Sequence, residues 1–341
     1  MKFFITGGAG FIGCNSAEYF LNQGHDVIVF DNLSRAGTEK NLAWLRGLDS
    51  AEKLQFVQGD IRDYDAVCTA IAGSDVILHL AGQVAVTTSV VNPREDFEIN
   101  ALGTFNVLEA ARNHCPDAAF VNASTNKVYG GMESVRIAEH ANRYAYADYH
   151  CGIPETFPLD FHSPYGCSKG AADQYVMDYA RIYGMRTVSL RQSCIYGERQ
   201  FGIEDQGWVA HFVIAVVKNR PISIYGDGKQ VRDVLHVSDL IRAYELAIEN
   251  IDAISGQAFN IGGGAANTLS IWTEFGPILE DLAGEPIDIE RGDWRPGDQR
   301  VFIADIRKAR DVLGWEPQVN PRQGIANLHH WVSSNTSLFD D

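Results

Sequence analysis

Two residues in the middle of the chain carry the chemistry. Tyr165 and Lys169 stand four apart in Ser163-Pro164-Tyr165-Gly166-Cys167-Ser168-Lys169. On a helix that spacing puts both side chains on one face. A phenol with a reference pKa of about 10 is a poor base near neutrality. A nearby ammonium, or the positive ring of an oxidised nicotinamide, favours the phenolate. Such a phenolate can take the proton of an alcohol while its carbon gives up hydride, and Lys169 can also bind the nicotinamide ribose. Thr125 ends the strand-forming run Ala119-Phe120-Val121-Asn122-Ala123 and can place a hydroxyl beside the reacting oxygen. Tyr-x-x-x-Lys arises often by chance, and alone it reads as a surface tyrosine with a solvated lysine. A glycine turn, then Ser124-Thr125, then the pair, in that order, make a catalytic constellation.

The glycine turn is Gly7-Gly8-Ala9-Gly10-Phe11-Ile12-Gly13. Gly7 permits the tight turn, Gly10 lets a pyrophosphate approach backbone amides and a helix N-terminus, and Gly13 permits close helix–strand packing. A short apolar strand, 3–6, precedes the turn. A helix from about Gly10 to Asn22 follows and stops at Gly24-His25. Val27-Ile28-Val29-Phe30 is a second apolar strand, closed by Asp31. Strand, glycine turn, helix, strand and acid form half of a mononucleotide-binding unit. Asp31 is expected to accept the adenosine ribose diol and to repel a 2′-phosphate, which favours NAD over NADP. Arg35, close by, pulls the other way. Asp60 and Ile61 follow the strand 54–57 and can flank the adenine, although Asp60 reads equally as a helix cap.

Uninterrupted apolar runs suit parallel strands covered on both faces. Further runs fall at 76–80, 119–123 and 187–190, with helices expected at about 97–113, carrying Asn100, and 165–183. Crossovers should be right-handed. Beyond Tyr196 the alternation loosens, with short strands at 222–225 and 233–237 and a late sheet strand at 259–262. The expected class is α/β: a Rossmann-type doubly wound parallel sheet over 1–194, with a smaller, interleaved C-terminal substrate-binding lobe over 195–341, some of whose segments return to the first domain. The stretch 131–160 is longer than an ordinary loop. It reads as an insertion with a functional or oligomer-forming role, or as a surface excursion. Residues 333–341 are polar and expected to fray.

Bulk composition narrows the classes. A chain of 341 residues, 45% apolar, can bury a sizeable core in two lobes. A formal charge of -16 disfavours nucleic acid and anionic membranes, though a local arginine cluster can still hold an anionic small molecule. No run of about 18 apolar residues suggests a membrane span, and the first strand begins too early for a cleaved leader. Cys14, Cys68, Cys115, Cys151, Cys167 and Cys194 are scattered without Cys-x-x-Cys, and the ten histidines form no ligand pattern. A reduced, cytoplasmic, metal-free protein is expected.

These residues resemble the extended short-chain dehydrogenase/reductase family over nearly the whole chain. The shared markers are Gly7-x-x-Gly10-x-x-Gly13, Asp60-Ile61-Arg62, His79-Leu80-Ala81, Asn100, Tyr129-Gly130, Tyr165-x-x-x-Lys169 and Val231-Arg232-Asp233. The resemblance implies nucleotide-linked sugar substrates, with 4-epimerases, 4,6-dehydratases, 2-epimerases and decarboxylases among its members. It also implies a tightly bound NAD regenerated in each turnover. Its cofactor residues would be Gly7, Gly10, Phe11, Ile12, Gly13, Asp31, Asn32, Ser34, Arg35, Asp60, Ile61, Leu80, Ala81, Gln83, Asn100, Ser124, Tyr165 and Lys169.

Longer segments are similar to the CDP-hexose 2-epimerases within that family. They are Ser124-Thr125-Asn126-Lys127-Val128-Tyr129-Gly130, Gly152-Ile153-Pro154-Glu155, Pro158 to Gly166, Gly197-x-Arg199-Gln200-Phe201, Asp205-Gln206-Gly207-Trp208-Val209 and Asp298-Gln299-Arg300-Val301-Phe302. The likeness implies inversion at C2 of a CDP-linked hexose through a transient 2-keto sugar. The pair would be CDP-paratose and CDP-tyvelose, or a CDP-glucose/CDP-mannose type. It further implies a homodimer or homotetramer serving lipopolysaccharide-type carbohydrate biosynthesis. The residues themselves say only carbinol oxidation.

On the substrate side, Arg232 and Arg300, and more weakly Arg199, are expected to grip the diphosphate. Thr125, Asn126, Lys127, Cys194, Gln206, Trp208, Val209 and Tyr225 would line the sugar or nucleotide, with core packing the rival for Trp208 and Tyr225. Related 4,6-dehydratases carry Asp-Glu after the threonine. Asn126-Lys127 cannot supply that acid/base pair. Cys194 replaces the asparagine many relatives carry, which changes the hydrogen bonds offered to a sugar. The alternatives are a nucleotide-sugar 4-epimerase and a non-catalytic NAD- or nucleotide-sugar-binding protein.

Overall fold

The apolar runs form strands. In chain order they are β1 (Lys2–Thr6), β2 (Asp26–Asp31), β3 (Leu54–Gln58), β4 (Val76–His79), β5 (Ala119–Thr125), β6 (Ile137–Glu139), β7 (Tyr144–Tyr146) and β8 (Thr187–Gln192). Then come β9 (Cys194–Tyr196), β10 (Ile222–Tyr225), β11 (Val231–His236), β12 (Gln257–Ile261), β13 (Thr268–Ser270), β14 (Ile289–Gly292) and β15 (Val301–Phe302). The computed structural model describes residues 1–294 and 299–340. Asp298 lies outside the described residues.

Seven strands make one sheet in the order β12-β8-β5-β4-β1-β2-β3. β1 pairs in parallel on both sides, with Phe3 opposite Val27 and Val76, and Thr6 opposite Phe30 and His79. Phe3, Phe4 and Ile5 are fully buried, as a strand covered on both faces requires. Phe4, Ile28, Ile77 and Phe120 pack with Val67, Ile71, Val107, Leu108 and Val176 of the covering helices. The strand order reverses between β1 and β4. Open α/β sheets have their ligand crevice at this switch point, at the carboxyl ends of the strands. Gly7, Asp31, Leu80 and Thr125 therefore share one edge of the sheet, at the ends of β1, β2, β4 and β5.

Two helical stretches complete that edge. The helix expected at 97–113 is three joined pieces: Pro93–Phe97, a π turn at Glu98–Leu102 and Gly103–His114. Such turns inside helices concentrate at functional sites, and this one carries Asn100. The second helix is Ser163–Tyr183, with Pro164 in its first turn and Gly184 at φ +69° as its C-terminal stop. Proline pre-sets the first turn and glycine accepts the left-handed exit. Ser163 Oγ accepts from Gly166 N at 3.2 Å. Tyr165 thus sits in the first turn and Lys169 one turn later.

The chain divides into two compact units. Unit 1 comprises Met1–Gly130, Phe161–Arg191 and Ile241–Phe259, and unit 2 comprises Gly131–Asp160, Gln192–Leu240 and Asn260–Asp341. The stretch 131–160, expected as an insertion in the nucleotide-binding domain, belongs to unit 2. The expected boundary at 194 falls at 191, and 241–259 belongs to unit 1. Unit 2 contains the hairpin β6–β7, the parallel pair β10–β14, and a small sheet in which β11 is joined by β13, β15 and β9. Phe212, Val213, Ile224, Phe275, Leu279, Ile325 and Leu328 form its core.

The tail corrects one expectation. Residues 333–340 do not fray: helix Pro321–Ser334 is followed by a 3-10 turn, Thr336–Phe339. Phe339 is buried, its ring 5.3 Å from that of Phe201 and 5.7 Å from that of Trp331. Arg220 donates to its carbonyl at 3.0 Å. The apolar pair Leu338-Phe339 outweighs the polar composition around it. Phe339→Ala should therefore lower stability by about 3 kcal/mol, as for other buried aromatics, whereas exposed Ser337→Ala should stay within about 0.5 kcal/mol. Urea unfolding midpoints check this, and equal effects of the two would mean that the tail is not packed.

Candidate active site

Tyr165 and Lys169 are both buried, at 8% and 6% exposure. The Tyr165 backbone amide donates to Ser89 Oγ at 3.2 Å. Lys169 Nζ donates to Ala123 O at 2.6 Å, the carbonyl just before Ser124-Thr125. Burial pushes the ammonium down to about 8, against the carboxylates of Asp173 and Asp96. Burial also pushes the Tyr165 phenol up. The Thr125 hydroxyl opposes that rise, Asp96 adds to it and the Arg35 guanidinium opposes it. The sequence expectation lowers the phenol through both Lys169 and an oxidised nicotinamide. Two side chains sharing a helix face need not point at each other, and Lys169 reaches the Ala123 carbonyl instead. Thr125 and Arg35 are the groups set against the rise.

Asn100 ties the segment after β4 to the helix behind it. Its Nδ2 donates to Gln83 O at 3.0 Å, and its Oδ1 accepts from Gln83 N at 2.9 Å. The same Nδ2 lies 3.0 Å from Asp96 Oδ1. Asp96 and Ser168 escaped the sequence reading, although the signal was present: Asp96 is four residues before Asn100 and Ser168 adjoins Lys169. His79 is a fixed neutral imidazole. Thr104 Oγ1 donates to Asn100 O at 2.6 Å, so it accepts from His79 Nε2 at 2.9 Å, and His79 Nδ1 accepts from Thr6 Oγ1 at 2.8 Å. Burial holds this ring down at about 3. Thr6 Oγ1 also accepts the amides of Leu80 and Ala81 at 3.1 and 3.2 Å, which fixes the end of β4.

The glycine turn fits a dinucleotide. Gly7 has φ +66°, and a Cβ there would stand 2.8 Å from Ala81 N. A Cβ at Gly13 would run into Gly7 O. At Gly10 a Cβ would meet only Gly7 O, at 3.1 Å, and would otherwise fill open space. Gly10 opens helix Phe11–Asn22, and no side chain caps that end. The amides of the first turn, including Phe11 and Ile12, thus suit a diphosphate. Asp31 Oδ2 accepts Ala9 N at 3.0 Å and Oδ1 accepts Leu33 N at 2.8 Å. The acid therefore braces the glycine turn and keeps lone pairs for a ribose diol. Burial pushes Asp31 up, against those amides.

Around it, Asn32 Nδ2 donates to Asp60 Oδ2 at 2.9 Å, and Ser34 N donates to Asn32 Oδ1 at 3.1 Å. Arg62 side-chain hydrogen bonds hold Asp60 at about 2. The following helix is capped by Asp63, whose side chain accepts from Ala66 N at 3.1 Å, so Asp60 is not its cap. Ile61 is buried where Gly103 passes over it, and Ser124 is buried beside Asp173. Arg35 is exposed and interacts with both Asp31 and Tyr165.

Three of the expected sugar-side residues, Thr125, Asn126 and Lys127, belong to unit 1. Thr125 Oγ1 lies 3.3 Å from Asn126 Oδ1 and accepts Lys127 N at 3.2 Å. Within unit 2, Cys194 on β9 is opposite Val234 on β11. Arg199 has φ +65° and lies 5.8 Å over the Trp331 ring. Gln206 exchanges backbone hydrogen bonds with Ile203 at 2.9 and 3.0 Å. The Trp208 ring is packed edge-on to Phe275 at 5.0 Å, the core alternative, but its Nε1 is buried without a partner among the described residues. Val209, expected to line the substrate, is 2% exposed inside the apolar core, because an apolar residue in the first turn of helix Trp208–Val217 faces inward. Tyr225 ends β10, and Arg232 on β11 donates to Val231 O at 2.9 Å. The Arg300 guanidinium lies 5.0 Å from the Tyr144 ring centroid and 5.6 Å from that of Trp294.

The chain is similar to known proteins along its length. The family model described as GDP-mannose 4,6 dehydratase matches residues 4–328. CDP-paratose 2-epimerase of Salmonella typhi is 49% identical over 341 residues, covering 98% of this chain and 100% of that protein. The crystal structure of UDP-glucose 4-epimerase from Thermotoga maritima with UDP-glucose superposes with a TM-score of 0.83 at 30% identity, covering 98% of this chain and 100% of that one. A dTDP-glucose 4,6-dehydratase from Streptomyces venezuelae, solved with NAD bound, gives 0.83 at 29% identity over 99% and 98%. The chain belongs to the GDP-mannose 4,6-dehydratase family of extended short-chain dehydrogenase/reductase-like enzymes, which epimerise or dehydrate nucleotide-linked hexoses.

Proposed function

We propose that this protein inverts C2 of a CDP-linked hexose through a transient 2-keto sugar, with CDP-paratose to CDP-tyvelose as the leading pair. The carrying observation is 49% identity along the full length of a CDP-paratose 2-epimerase. Asn126-Lys127 supports it, since an amide and an ammonium cannot serve as the acid and base of a dehydration.

Gly7, Gly10, Gly13, Asp31 and the segment Leu80–Gln83 would hold NAD, kept through turnover. When bound, NAD supplies a two-electron acceptor whose positive ring favours phenolate. Tyr165 takes the proton of the C2 hydroxyl as that carbon loses hydride, while Thr125 hydrogen-bonds the same oxygen. After the sugar presents its other face, hydride returns to C2 and Tyr165 returns the proton, so net redox is zero. Arg232 and Arg300 grip the diphosphate by charge-assisted hydrogen bonds. The acidic chain, with no disulfide among the described residues, suits the cytoplasm. Among the described residues no helix is long and apolar enough to cross a membrane.

The working form is a homodimer or homotetramer. In unit 1, Phe97, Leu102 and Phe105 on one helical stretch and Tyr175 and Ile182 on another are exposed, and the Phe105 and Tyr175 rings lie 5.9 Å apart. Exposed apolar side chains on two helical stretches, with Phe105 and Tyr175 in contact, suit an isologous pair.

Three measurements test these statements. In a panel of CDP-, UDP-, GDP- and dTDP-hexoses without added NAD, NMR of the product should show inversion at C2 of a CDP sugar. A galacto-type product would instead mark a 4-epimerase, and a 4-keto-6-deoxy product absorbing in strong base a dehydratase. In the pH profile, Lys169 is an ammonium below about 8 and neutral above it. As an ammonium Lys169 would bind the nicotinamide ribose and favour the Tyr165 phenolate. The rate should therefore fall by one-proton titration as pH rises through that value, and a rate still climbing to pH 10 would refute that role. In sedimentation, the wild type should run as a dimer or tetramer and the Phe105→Glu/Tyr175→Glu double variant as a monomer. A monomeric wild type would refute the assembly.

A further inference from the structure

Asp96 is 1% exposed and central to unit 1. Its Oδ2 accepts the Ser168 hydroxyl at 2.5 Å, and its Oδ1 accepts Gln83 Nε2 and Asn100 Nδ2, each at 3.0 Å. Ser168 precedes Lys169, and its hydroxyl also lies 3.2 Å from Tyr165 O. A Cβ at Gly82 would stand 2.9 Å from Asn100 Oδ1 and 3.9 Å from Lys169 Nζ. One carboxylate thus joins the π-turn stretch, the segment after β4 and the helix of the catalytic pair. We propose that Asp96 is a positioning residue for Tyr165 and Lys169: a buried counter-ion that holds these three segments together and supplies the negative charge against which Lys169 stays an ammonium.

The charges around Lys169 single out Asp96. An ammonium removed from water needs an opposite charge nearby. Two carboxylates act on Lys169: Asp173 on its own helix and Asp96 on Pro93–Phe97. Asp173 is already paired with Arg191 at 2.8 Å and accepts Ser189 Oγ at 2.6 Å. Much of its charge is answered there. The hydrogen bonds to Asp96 come instead from neutral donors, Gln83, Asn100 and Ser168. His79, on β4, whose ring Lys169 also helps hold neutral, adds no charge. Arg35, from the segment after β2, and Asp96 both act on Tyr165, with opposite signs. Burial pushes the Asp96 carboxyl up, and Ser168, Asn100, Lys169 and Gln83 oppose that rise. Of the two carboxylates acting on Lys169 among the described residues, Asp96 is therefore the one that no guanidinium among its hydrogen-bonding partners answers.

The proposal rests on Tyr165 and Lys169 being the catalytic pair, but its test does not require knowing the sugar. Asp96→Asn can keep the contacts. Its oxygen can face Gln83 and Asn100, and its amide can face Ser168 Oγ, whose proton then turns to Tyr165 O. In NAD-loaded protein labelled with 15N-lysine, the Lys169 signal is assigned by its loss in Lys169→Met. Its titration midpoint should fall by about one unit or more in Asp96→Asn. Ser168→Ala, which removes a hydrogen bond and leaves the charge, should stay within about 0.3 unit of wild type. An unchanged midpoint in Asp96→Asn, or equal shifts in both variants, overturns the proposal. Should Asp96→Asn fail to fold, 13C NMR of the Asp96 carboxyl in the wild type decides: ionised at pH 7 supports it, protonated overturns it. The alkaline limb of activity should move with the NMR midpoint. A protein that shows the NMR shift but turns over no nucleotide sugar would refute the proposed reaction and leave the role of Asp96 standing.

Discussion

A positive charge buried away from water is the constraint on which the rest depends. The proposed reaction calls for Lys169 near Tyr165, in a site dry enough for hydride chemistry. Burial works against the ammonium, and unit 1 answers with the Ala123 carbonyl at the end of β5 and two carboxylates from two helical segments. Each of these has its own support. Asp173 is held by Arg191, which lies against Tyr129, and Asp96 by Gln83, Asn100 and Ser168. Residues that look like separate family markers, Asn100, Tyr129 and Lys169, are thus linked through two buried acids.

The sheet explains why so few residues suffice. The strand order reverses between β1 and β4, and the ends of β1, β2, β4 and β5 meet at that edge. The glycine turn follows β1, Asp31 closes β2 and braces the turn through Ala9 N, and Ser124-Thr125 closes β5. Thr6 and His79 lock the end of β4 through hydrogen bonds that leave the imidazole neutral. The proposed cofactor cradle and the hydroxyl proposed for the reacting oxygen thus sit at the ends of four strands. The proposed function assigns the sugar to other residues: Asn126, Lys127, Cys194 and the arginines.

The parts legible in the sequence were those with local periodicity or forced chemistry. Strands buried on both faces read as apolar runs, glycines at 7, 10 and 13 announce a turn that excludes side chains, and a four-residue spacing announces a shared helix face. What stayed hidden is non-local or hinges on one atom. An extra residue in the π turn at 98–102 leaves no trace in hydrophobic spacing. Lys169 turns to a carbonyl contributed by a strand 46 residues earlier, so its effect on the phenol could not be inferred from spacing. Val209 lay inside a segment shared with 2-epimerases, and its apolar character was the better guide to its place in the core. Phe339 was lost in a polar average, and the membership of 131–160 in unit 2 is set by contacts with distant strands.

The central claim is that a buried phenol beside an ammonium permits hydride to leave and return at one carbon. The most direct measurement uses a CDP-hexose carrying deuterium at C2, turned over to equilibrium in ordinary water and analysed by NMR. Hydride shuttling within a closed site predicts that both epimers keep the deuterium at C2, with a slower rate than for the unlabelled sugar. Loss of the label to solvent would mean that C2 is deprotonated rather than oxidised, and would contradict the account.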